Sequence, residues 1–203
     1  MKIICIGRNY IKHAKEFNSE VPTEPVIFLK PESSLLRKNH PFFYPEFSEN
    51  IHYETELVYK INKVGKHIQK QFAHTYYNEI GLGIDLTARD IQNKLKEKGL
   101  PWELSKAFDY SAPLSNFVSK EKFSKNDGVK FLLKINGETR QHGNSKNMIF
   151  PIDDLIVYIS KFFTLKIGDL IFTGTPEGVG PVKIGDNLQA FLEDEKMLDF
   201  KIL

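Results

Sequence analysis

The amino-acid sequence predicts a β-rich α+β fold, because segments with the pattern of strands outnumber segments with the pattern of helices. Segment 51–62 alternates between two sets of residues with a period of two, as expected for a strand with one face on a core. The dipeptide Asn136-Gly137 joins two further strand-like segments, 129–135 and 138–141, and favours a type I′ hairpin turn. Helical periodicity is confined to a few shorter segments.

The other predicted elements are short. Strands are predicted at 2–6, 26–29, 79–84, 170–173, 187–192 and 197–202. Helices are predicted at 10–18, at 88–98 with Thr87 as the N-cap, and after Asp153 or Asp154 as the N-cap of a third helix. The inner face of this third helix is expected to consist of Leu155, Ile156, Ile159, Phe162 and Phe163.

Composition disfavours several classes of protein. The chain has 203 residues, 41% of them hydrophobic with 16 Phe and 8 Tyr, so it can bury a sizeable core and disorder is not expected. The net charge is +2, from 28 basic and 26 acidic residues, which gives no case for nucleic acid or an anionic membrane as partner. A single cysteine excludes an intramolecular disulfide. Neither a signal peptide nor a membrane span is predicted, so a cytoplasmic location is expected.

Three carboxylates stand out as candidate ligands. Glu54 and Glu56 are two residues apart on a predicted strand, so both side chains point to the same face. Asp85 follows strand 79–84 at a strand-to-helix junction, where ligand sites often collect. Three hard oxygen ligands suit Mg²⁺ or Mn²⁺ and leave about three of six positions for water and substrate. On a solvated strand face, however, the same acids need no function.

The sequence resembles the fumarylacetoacetate hydrolase family, and is most similar to its single-domain branch of acylpyruvate hydrolases and oxaloacetate decarboxylases. The resemblance runs almost end to end, as a single catalytic domain over residues 1–203. It rests on these motifs in order: Gly7-Arg8-Asn9-Tyr10 with His13 and Glu16, Phe28-Leu29-Lys30-Pro31, His52-Tyr53-Glu54-Thr55-Glu56-Leu57, Asp85-Leu86-Thr87-Ala88-Arg89-Asp90-Ile91-Gln92, Lys98-Gly99-Leu100-Pro101-Trp102 with Lys106 and Phe108, Asn136-Gly137-Glu138, Asn147-Met148-Ile149-Phe150, and Thr173-Gly174-Thr175-Pro176 with Gly178-Val179-Gly180-Pro181.

The resemblance implies a mixed, twisted β-roll with few helices, and a homodimer. It implies metal ligation by the same three acids, Glu54, Glu56 and Asp85. It also implies a catalytic His–Glu dyad at His13 and Glu16 on a short lid helix. Further residues are implied around the carboxylate and keto groups of the substrate: Lys106, Arg89, Gln92 and Thr175.

The implied substrate is a small 2-keto acid, whose carboxylate and keto oxygens can chelate one divalent ion. The ion then stabilises the enolate that forms when the bond beyond C3 breaks, and Lys106 adds positive charge near the oxyanion. Hydrolysis of an acylpyruvate also needs an attacking water, which His13 can deprotonate while Glu16 orients it. Decarboxylation of oxaloacetate needs the metal but no attacking water.

Two alternatives remain open at this point. The same scaffold can support an isomerase or hydratase of an unsaturated 2-keto diacid, because these reactions share the metal-stabilised enolate. The His13 and Glu16 pair favours hydrolysis, since a tautomerase has no water to activate. A non-catalytic module that binds a metal or a carboxylate is a further class, but it predicts a gap in the set of acids, base and lysine, and the sequence has none.

Overall fold

The computed structural model describes residues 1–11, 21–123, 125 and 127–203. Strands dominate these residues, which confirms the predicted β-rich class. The strands are β1 (Ile3–Gly7), β2 (Val26–Lys30), β3 (Leu35–Leu36), β4 (Ile51–Tyr53), β5 (Thr55–Ile61), β6 (Tyr77–Ile84), β7 (Thr87–Ala88), β8 (Ala112–Pro113), β9 (Val118–Ser119), β10 (Lys130–Ile135), β11 (Glu138–Asn144), β12 (Leu170–Phe172), β13 (Gly180–Pro181), β14 (Asn187–Leu192) and β15 (Glu195–Lys201). The α-helices of the described residues are α1 (Lys70–Ala73), α2 (Arg89–Glu97), α3 (Glu103–Lys106) and α4 (Ile152–Phe162). Among them, none has the length and apolar character of a membrane span.

A mixed sheet forms the centre of the fold, with strand order β2-β1-β12-β5-β6-β9. Strands β1 and β12 run parallel, and the other neighbours in this sheet are antiparallel. A second, antiparallel sheet has the order β11-β10-β14-β15. Its strands β10, β14 and β15 contact β5 and β6. The larger hydrophobic cluster therefore lies between the two sheets, and a smaller one around Cys5, Val58 and Phe172 lies on the other face of the central sheet.

The predicted hairpin at Asn136-Gly137 is confirmed. Strands β10 and β11 pair antiparallel on either side of it. Asn136 has φ 53° and Gly137 has φ 84°, so both turn residues are left-handed, as a type I′ turn requires.

The predicted strand 51–62 is interrupted at Glu54, where β4 ends and β5 begins. Strand β4 belongs to a small sheet with β13 and β7, whereas β5 lies inside the central sheet. The side chains of β5 are buried on both faces up to Tyr59. The alternative of a solvated strand face, on which these acids would need no function, therefore does not apply to Glu56, which is buried.

The predicted helix caps were also wrong. Thr87 pairs with His52 in the strand ladder between β4 and β7, and α2 begins after Ala88 without a side-chain cap. Helix α4 begins after Pro151, with Asp153 and Asp154 inside its first turn. Of the residues predicted for its inner face, Leu155, Ile156 and Ile159 are buried and Phe163 is partly buried, whereas Phe162 is 58% exposed. The predicted helix 10–18 lies outside the described residues, apart from Tyr10 and Ile11.

Candidate metal and substrate site

Strand pairing brings the three candidate acids together. In the ladder between β5 and β6, Thr55 is opposite Ile84, so the residues flanking this pair, Glu54 and Asp85, are neighbours. The backbone N–H of Asp85 donates to the carbonyl of Glu54 at 2.8 Å. One oxygen from each of Glu54, Glu56 and Asp85 lies within 4.8 Å of the others. We call these three residues the acid cluster.

Glu56 is the most isolated member of the acid cluster. Its residue exposure is 1%, and its Oε2 accepts a hydrogen bond from the N–H of Gly174 at 2.7 Å. Burial raises the pKa of Glu56 well above its usual value, and the charges of Asp85 and Glu54 raise it further. Within the part of the chain that the structure describes, no lysine, arginine or histidine forms an ion pair with Glu56.

Gly174 is needed to bring this donor to Glu56. Its φ is +92°, in the left-handed region, and a Cβ there would lie 2.8 Å from Cβ of Asn9 and 3.0 Å from the carbonyl oxygen of Ile6. Any larger residue would push the turn away from β1. The turn-forming composition of 173–178 therefore serves a close backbone approach at the site.

Glu54 and Asp85 have cationic partners. The ammonium of Lys106 lies 2.9 Å from Oε2 of Glu54 and 2.6 Å from Oδ2 of Asp85, and it also donates to Oγ1 of Thr87 at 2.6 Å. The guanidinium of Arg89 lies 2.5 Å from Oε1 of Glu54. Burial acts to lower the pKa of Lys106, but Asp85 and Glu54 outweigh it, so this pKa ends above its usual value.

A second lysine, Lys30, supports Asp85 from the side of β2. Its side chain is 0% exposed, and its Nζ lies 2.8 Å from Oδ1 of Asp85. The same ammonium donates to Oγ and the carbonyl of Ser111, at 2.9 and 3.1 Å, and to the carbonyl of Lys106. Lys30 therefore fixes both an acid of the cluster and the backbone of the lysine that bridges it.

This donor set fits a hard divalent cation. The acids offer closely spaced carboxylate oxygens, and Glu56 is a buried carboxyl group whose charged form has no cationic partner among the described residues. A cation that touched all three acids would supply that charge. Because the Lys106 ammonium lies between Glu54 and Asp85, an ion there would share these carboxylates with the lysine or displace its flexible side chain.

A cavity of about 40 Å³ opens beside the acid cluster, which exceeds the space that a single water molecule needs. We call it the acid cavity. The predicted substrate residues Arg89, Gln92 and Thr175 all line it, as does Lys106. Its remaining lining includes Arg8, Phe28, Lys96 and Trp102.

Residues 2–202 match the family model described as Fumarylacetoacetate (FAA) hydrolase C-terminal. The chain belongs to the fumarylacetoacetate hydrolase family. It is 44% identical to the mitochondrial oxaloacetate tautomerase of Bos taurus over 200 residues, which cover 98% of this chain and 90% of that protein. It is 44% identical to oxaloacetate tautomerase YcgM of Escherichia coli (strain K12), with 92% of this chain and 86% of that protein covered. It is 46% identical to a mitochondrial oxaloacetate decarboxylase of Dictyostelium discoideum, with coverage of 91% and 85%.

Solved structures of this family share the fold. A fumarylpyruvate hydrolase from Pseudomonas aeruginosa, in complex with Mn²⁺ and pyruvate, superposes with a TM-score of 0.94 at 34% identity, covering 100% of this chain and 89% of that chain. A 5-carboxymethyl-2-hydroxymuconate delta-isomerase from Mycobacterium smegmatis superposes with a TM-score of 0.86 at 32% identity, covering 100% and 78%. The predicted family membership and fold are thereby confirmed.

The side chains of Gln92 and Thr175, two of the predicted substrate residues, differ in their hydrogen bonds to the protein. Oε1 of Gln92 accepts from the Arg89 guanidinium at 2.6 Å, which leaves the amide N–H₂ of Gln92 for another partner. The hydroxyl of Thr175 donates to the carbonyl of Thr55 at 2.9 Å and accepts from Nε2 of Gln141 at 2.8 Å. Thr175 therefore ties the turn to β5, and its backbone is better placed than its hydroxyl to meet a ligand.

Two histidines, His13 and His52, belong to the family motifs quoted above. His13 and its predicted partner Glu16 lie outside the described residues, so their catalytic role stays a prediction. His52 is not among the residues that line the acid cavity, and its Nε2 contacts Oδ1 of Asn50 at 2.9 Å. Burial, followed by the charge of Arg89, lowers the pKa of His52 to about 4, so its ring is neutral at pH 7.

Sequence reasoning gave no role to several residues of the site. Lys30 and Arg8 lie within the family motifs but were assigned no function, and Lys96 lies outside these motifs. The signal for Lys30 is a lysine that ends the apolar strand Val26–Lys30, just before Pro31. The signal for Lys96 is its helical spacing from Arg89 and Gln92, at i+7 and i+4, which places all three on one helix face.

Proposed function

We propose that this chain is a Mg²⁺- or Mn²⁺-dependent enzyme of small 2-keto acids, with the ion held by Glu54, Glu56 and Asp85. It would hydrolyse the C–C bond of acylpyruvates, decarboxylate oxaloacetate, or do both. The observation that carries the proposal is the carboxylate of Glu56, which is buried beside two other acids and has no cationic partner among the described residues. A protein interior retains such a charge where a cation binds it.

The protein side chains would bind and orient the substrate. Arg89 and the free amide N–H₂ of Gln92 face the acid cavity and suit a carboxylate. Lys106 would place a positive charge at the keto oxygen, where negative charge develops. A bound divalent ion would supply Lewis-acid stabilisation of the same charge. Phe28 and Trp102 line the cavity and would limit the access of water.

Proton transfer would fall to residues proposed from the family resemblance. His13 would take a proton from the attacking water in acylpyruvate hydrolysis, and Glu16 would orient its ring. Decarboxylation of oxaloacetate releases CO₂ and needs no such water. A substitution of His13 should therefore impair hydrolysis more than decarboxylation.

A second candidate function is keto–enol tautomerisation or isomerisation on the same site. The relatives named oxaloacetate tautomerases, at 44% identity over nearly the whole chain, favour it. The structural similarity to an isomerase supports it as well. In this reaction a proton would move between C3 and the keto oxygen, so a C3–H bond would break or form in place of the C3–C4 bond. Lys106 and the ion would stabilise the same negative charge on the keto oxygen.

Product analysis separates these activities. The purified protein is treated with EDTA, reconstituted with Mg²⁺ or Mn²⁺, and assayed for three reactions: loss of the enol absorbance of oxaloacetate, pyruvate formation from oxaloacetate, and pyruvate plus acetate from acetylpyruvate. We expect turnover only with the ion. Glu56→Gln should lower it by at least about 100-fold, since it removes one ligand charge. Glu79→Gln, in an exposed pair with Lys60, is the matched control and should keep full activity.

Metal-independent turnover, or an active Glu56→Gln variant, would contradict the proposed role of the acid cluster. Turnover of none of the three substrates with either ion would contradict the proposed function. The single domain over 1–203, the homodimer and the cytoplasmic location stay predictions from the sequence and the family resemblance.

A further inference from the structure

One face of helix α2 forms a row of polar side chains along the acid cavity. Arg89, Gln92 and Lys96 are separated by three and four residues, and all three line the cavity. Arg89 and Gln92 are buried at the inner end, whereas Lys96 is exposed at the outer end. Seven residues of α-helix advance about 10 Å, so the backbone of Lys96 lies farther out than that of Arg89. Its long side chain reaches back to the cavity, where its ammonium interacts with the charges of Glu54 and Lys106.

Arg8, directly after β1, also lines the cavity and is close enough to Lys96 for the two charges to interact. Its φ is +59°, an unfavourable value for a residue with a Cβ. The next residue, Asn9, holds the chain there: its side chain donates to the carbonyls of Thr173 and Phe150 at 2.8 and 3.0 Å, and accepts from the N–H of Phe150 at 2.8 Å. The backbone of Arg8 is therefore fixed beside the turn that contacts Glu56.

The two outer cations, Arg8 and Lys96, lack the partners that the inner cations have. Lys106 and Arg89 pair with acids of the cluster, but no described carboxylate pairs with Arg8 or Lys96. The Lys96 ammonium lies 5.6 Å from the centroid of the Trp102 ring. Burial, together with the charges of Arg89 and Arg8, lowers the pKa of Lys96 to about 8. Among the described residues, the outer end of the cavity thus has cations without matching carboxylates.

We propose that Arg8 and Lys96 form an anion subsite that binds the distal carboxylate of a dicarboxylic 2-keto acid. This rests on the proposed function, because the acid cluster, Arg89 and Gln92 would take the keto-acid end of the same molecule. A four-carbon dicarboxylate would place its second carboxylate between the outer cations. A monocarboxylic acylpyruvate such as acetylpyruvate would place an uncharged acetyl group there and leave both cations without an anion. The subsite would therefore select dicarboxylates.

Binding of two unreactive probes tests the subsite without turnover. Malate and 2-hydroxybutyrate share a four-carbon 2-hydroxy acid skeleton and differ at C4, which is a carboxylate in the first and a methyl group in the second. Calorimetry with Mg²⁺ present measures both dissociation constants for the wild-type chain. The variants are Lys96→Met, Arg8→Met and Arg8→Lys. Lys94→Met is the matched control, because Lys94 is exposed on α2 and does not line the cavity.

We expect the wild-type chain to prefer malate. Lys96→Met and Arg8→Met should each weaken malate binding about tenfold, the effect of losing one charge-assisted contact, with 2-hydroxybutyrate binding unchanged. Arg8→Lys should restore part of the preference, and Lys94→Met should retain all of it. Equal affinity of the wild-type chain for both probes, or a malate preference that survives both methionine substitutions, would overturn the subsite.

This outcome is separable from that of the proposed function. A chain that prefers malate through Arg8 and Lys96 but turns over none of the three substrates would keep the subsite and lose the enzymatic proposal. A chain that turns over oxaloacetate and binds both probes equally would keep the activity and lose the subsite.

Discussion

The inner and outer ends of the acid cavity have opposite charge imbalances. At the inner end, Glu56 is a buried carboxylate without a cationic partner among the described residues, beside two acids that have such partners. At the outer end, Arg8 and Lys96 are cations without a described carboxylate. A divalent cation would complete the inner end, and the distal carboxylate of the substrate would complete the outer end. We therefore expect that one dicarboxylate molecule, bound to a divalent cation at the acid cluster, would supply the missing charges at both ends.

The two ends also differ in how strongly they are tied to the fold. The inner end is built on the β5–β6 ladder and on lysines that are almost fully buried. The outer end is built on an exposed helix residue and on a residue held by the hydrogen bonds of Asn9. Substitutions at the inner end should therefore change stability, and substitutions at the outer end should change ligand affinity.

The largest effect is expected from Lys30→Met. It would leave Asp85 with one cationic partner fewer in a dry environment and remove the hydrogen bonds to Ser111. We expect a loss of about 3–5 kcal/mol in the free energy of unfolding, measured by urea denaturation. Lys60→Met is the control, since Lys60 and Glu79 form an exposed pair, and it should cost less than about 1 kcal/mol. Equal effects of the two substitutions would show that Lys30 does not support the acid cluster.

A smaller effect is expected from pH on malate binding. The pKa of Lys96 is lowered to about 8 by burial and by the charges of Arg89, Arg8 and Lys106, with Glu54 opposing them. The anion needs the protonated lysine, so affinity should be constant below pH 7 and fall as the pH rises through about 8. A bound carboxylate favours the charged form and shifts the midpoint upward.

Substituting Lys96→Arg gives the comparison for this prediction, because a guanidinium stays charged throughout this range. Its affinity for malate, followed by calorimetry from pH 6 to about 9.5, should be nearly independent of pH. If the affinity for malate fell equally with pH in the wild-type chain and in the Lys96→Arg variant, a group other than Lys96 would be responsible for the titration.

Local sequence patterns predicted the acid cluster but not its surroundings. The period-two spacing of Glu54 and Glu56 places both on one face whether or not the strand is continuous, so this part of the prediction survives the break at Glu54. Burial of that face depends on segments distant in sequence, since Val58 on the same face packs with Ala112, Leu114 and Phe172. A solvated strand face and a dry cavity wall therefore have the same local pattern.

Long-range contacts explain the other differences. Thr87 has the residue type of a helix N-cap. Instead, its backbone pairs with His52 in a strand ladder, and its hydroxyl accepts a hydrogen bond from Lys106. A lysine at the end of a short strand, such as Lys30, usually reaches solvent. Here Asp85 and Ser111, more than 50 residues away, hold it inside. The apolar strand before Pro31 marks the position of Lys30 but does not reveal these partners.

The most direct test of the account is the effect of Mg²⁺ on thermal unfolding of the wild-type chain and of Glu56→Gln. At 100 times its Kd, an ion that binds only the folded state adds about 2.7 kcal/mol, which corresponds to a rise in Tm of about 5–10 °C for a chain of this size. We predict this rise for the wild-type chain and for Glu79→Gln, and little or none for Glu56→Gln. In EDTA, Glu56→Gln should be at least as stable as the wild-type chain, because it removes a carboxyl group whose charged form burial disfavours. A wild-type Tm that is indifferent to Mg²⁺ and Mn²⁺, or an equal rise in Glu56→Gln, would contradict a metal site at the acid cluster.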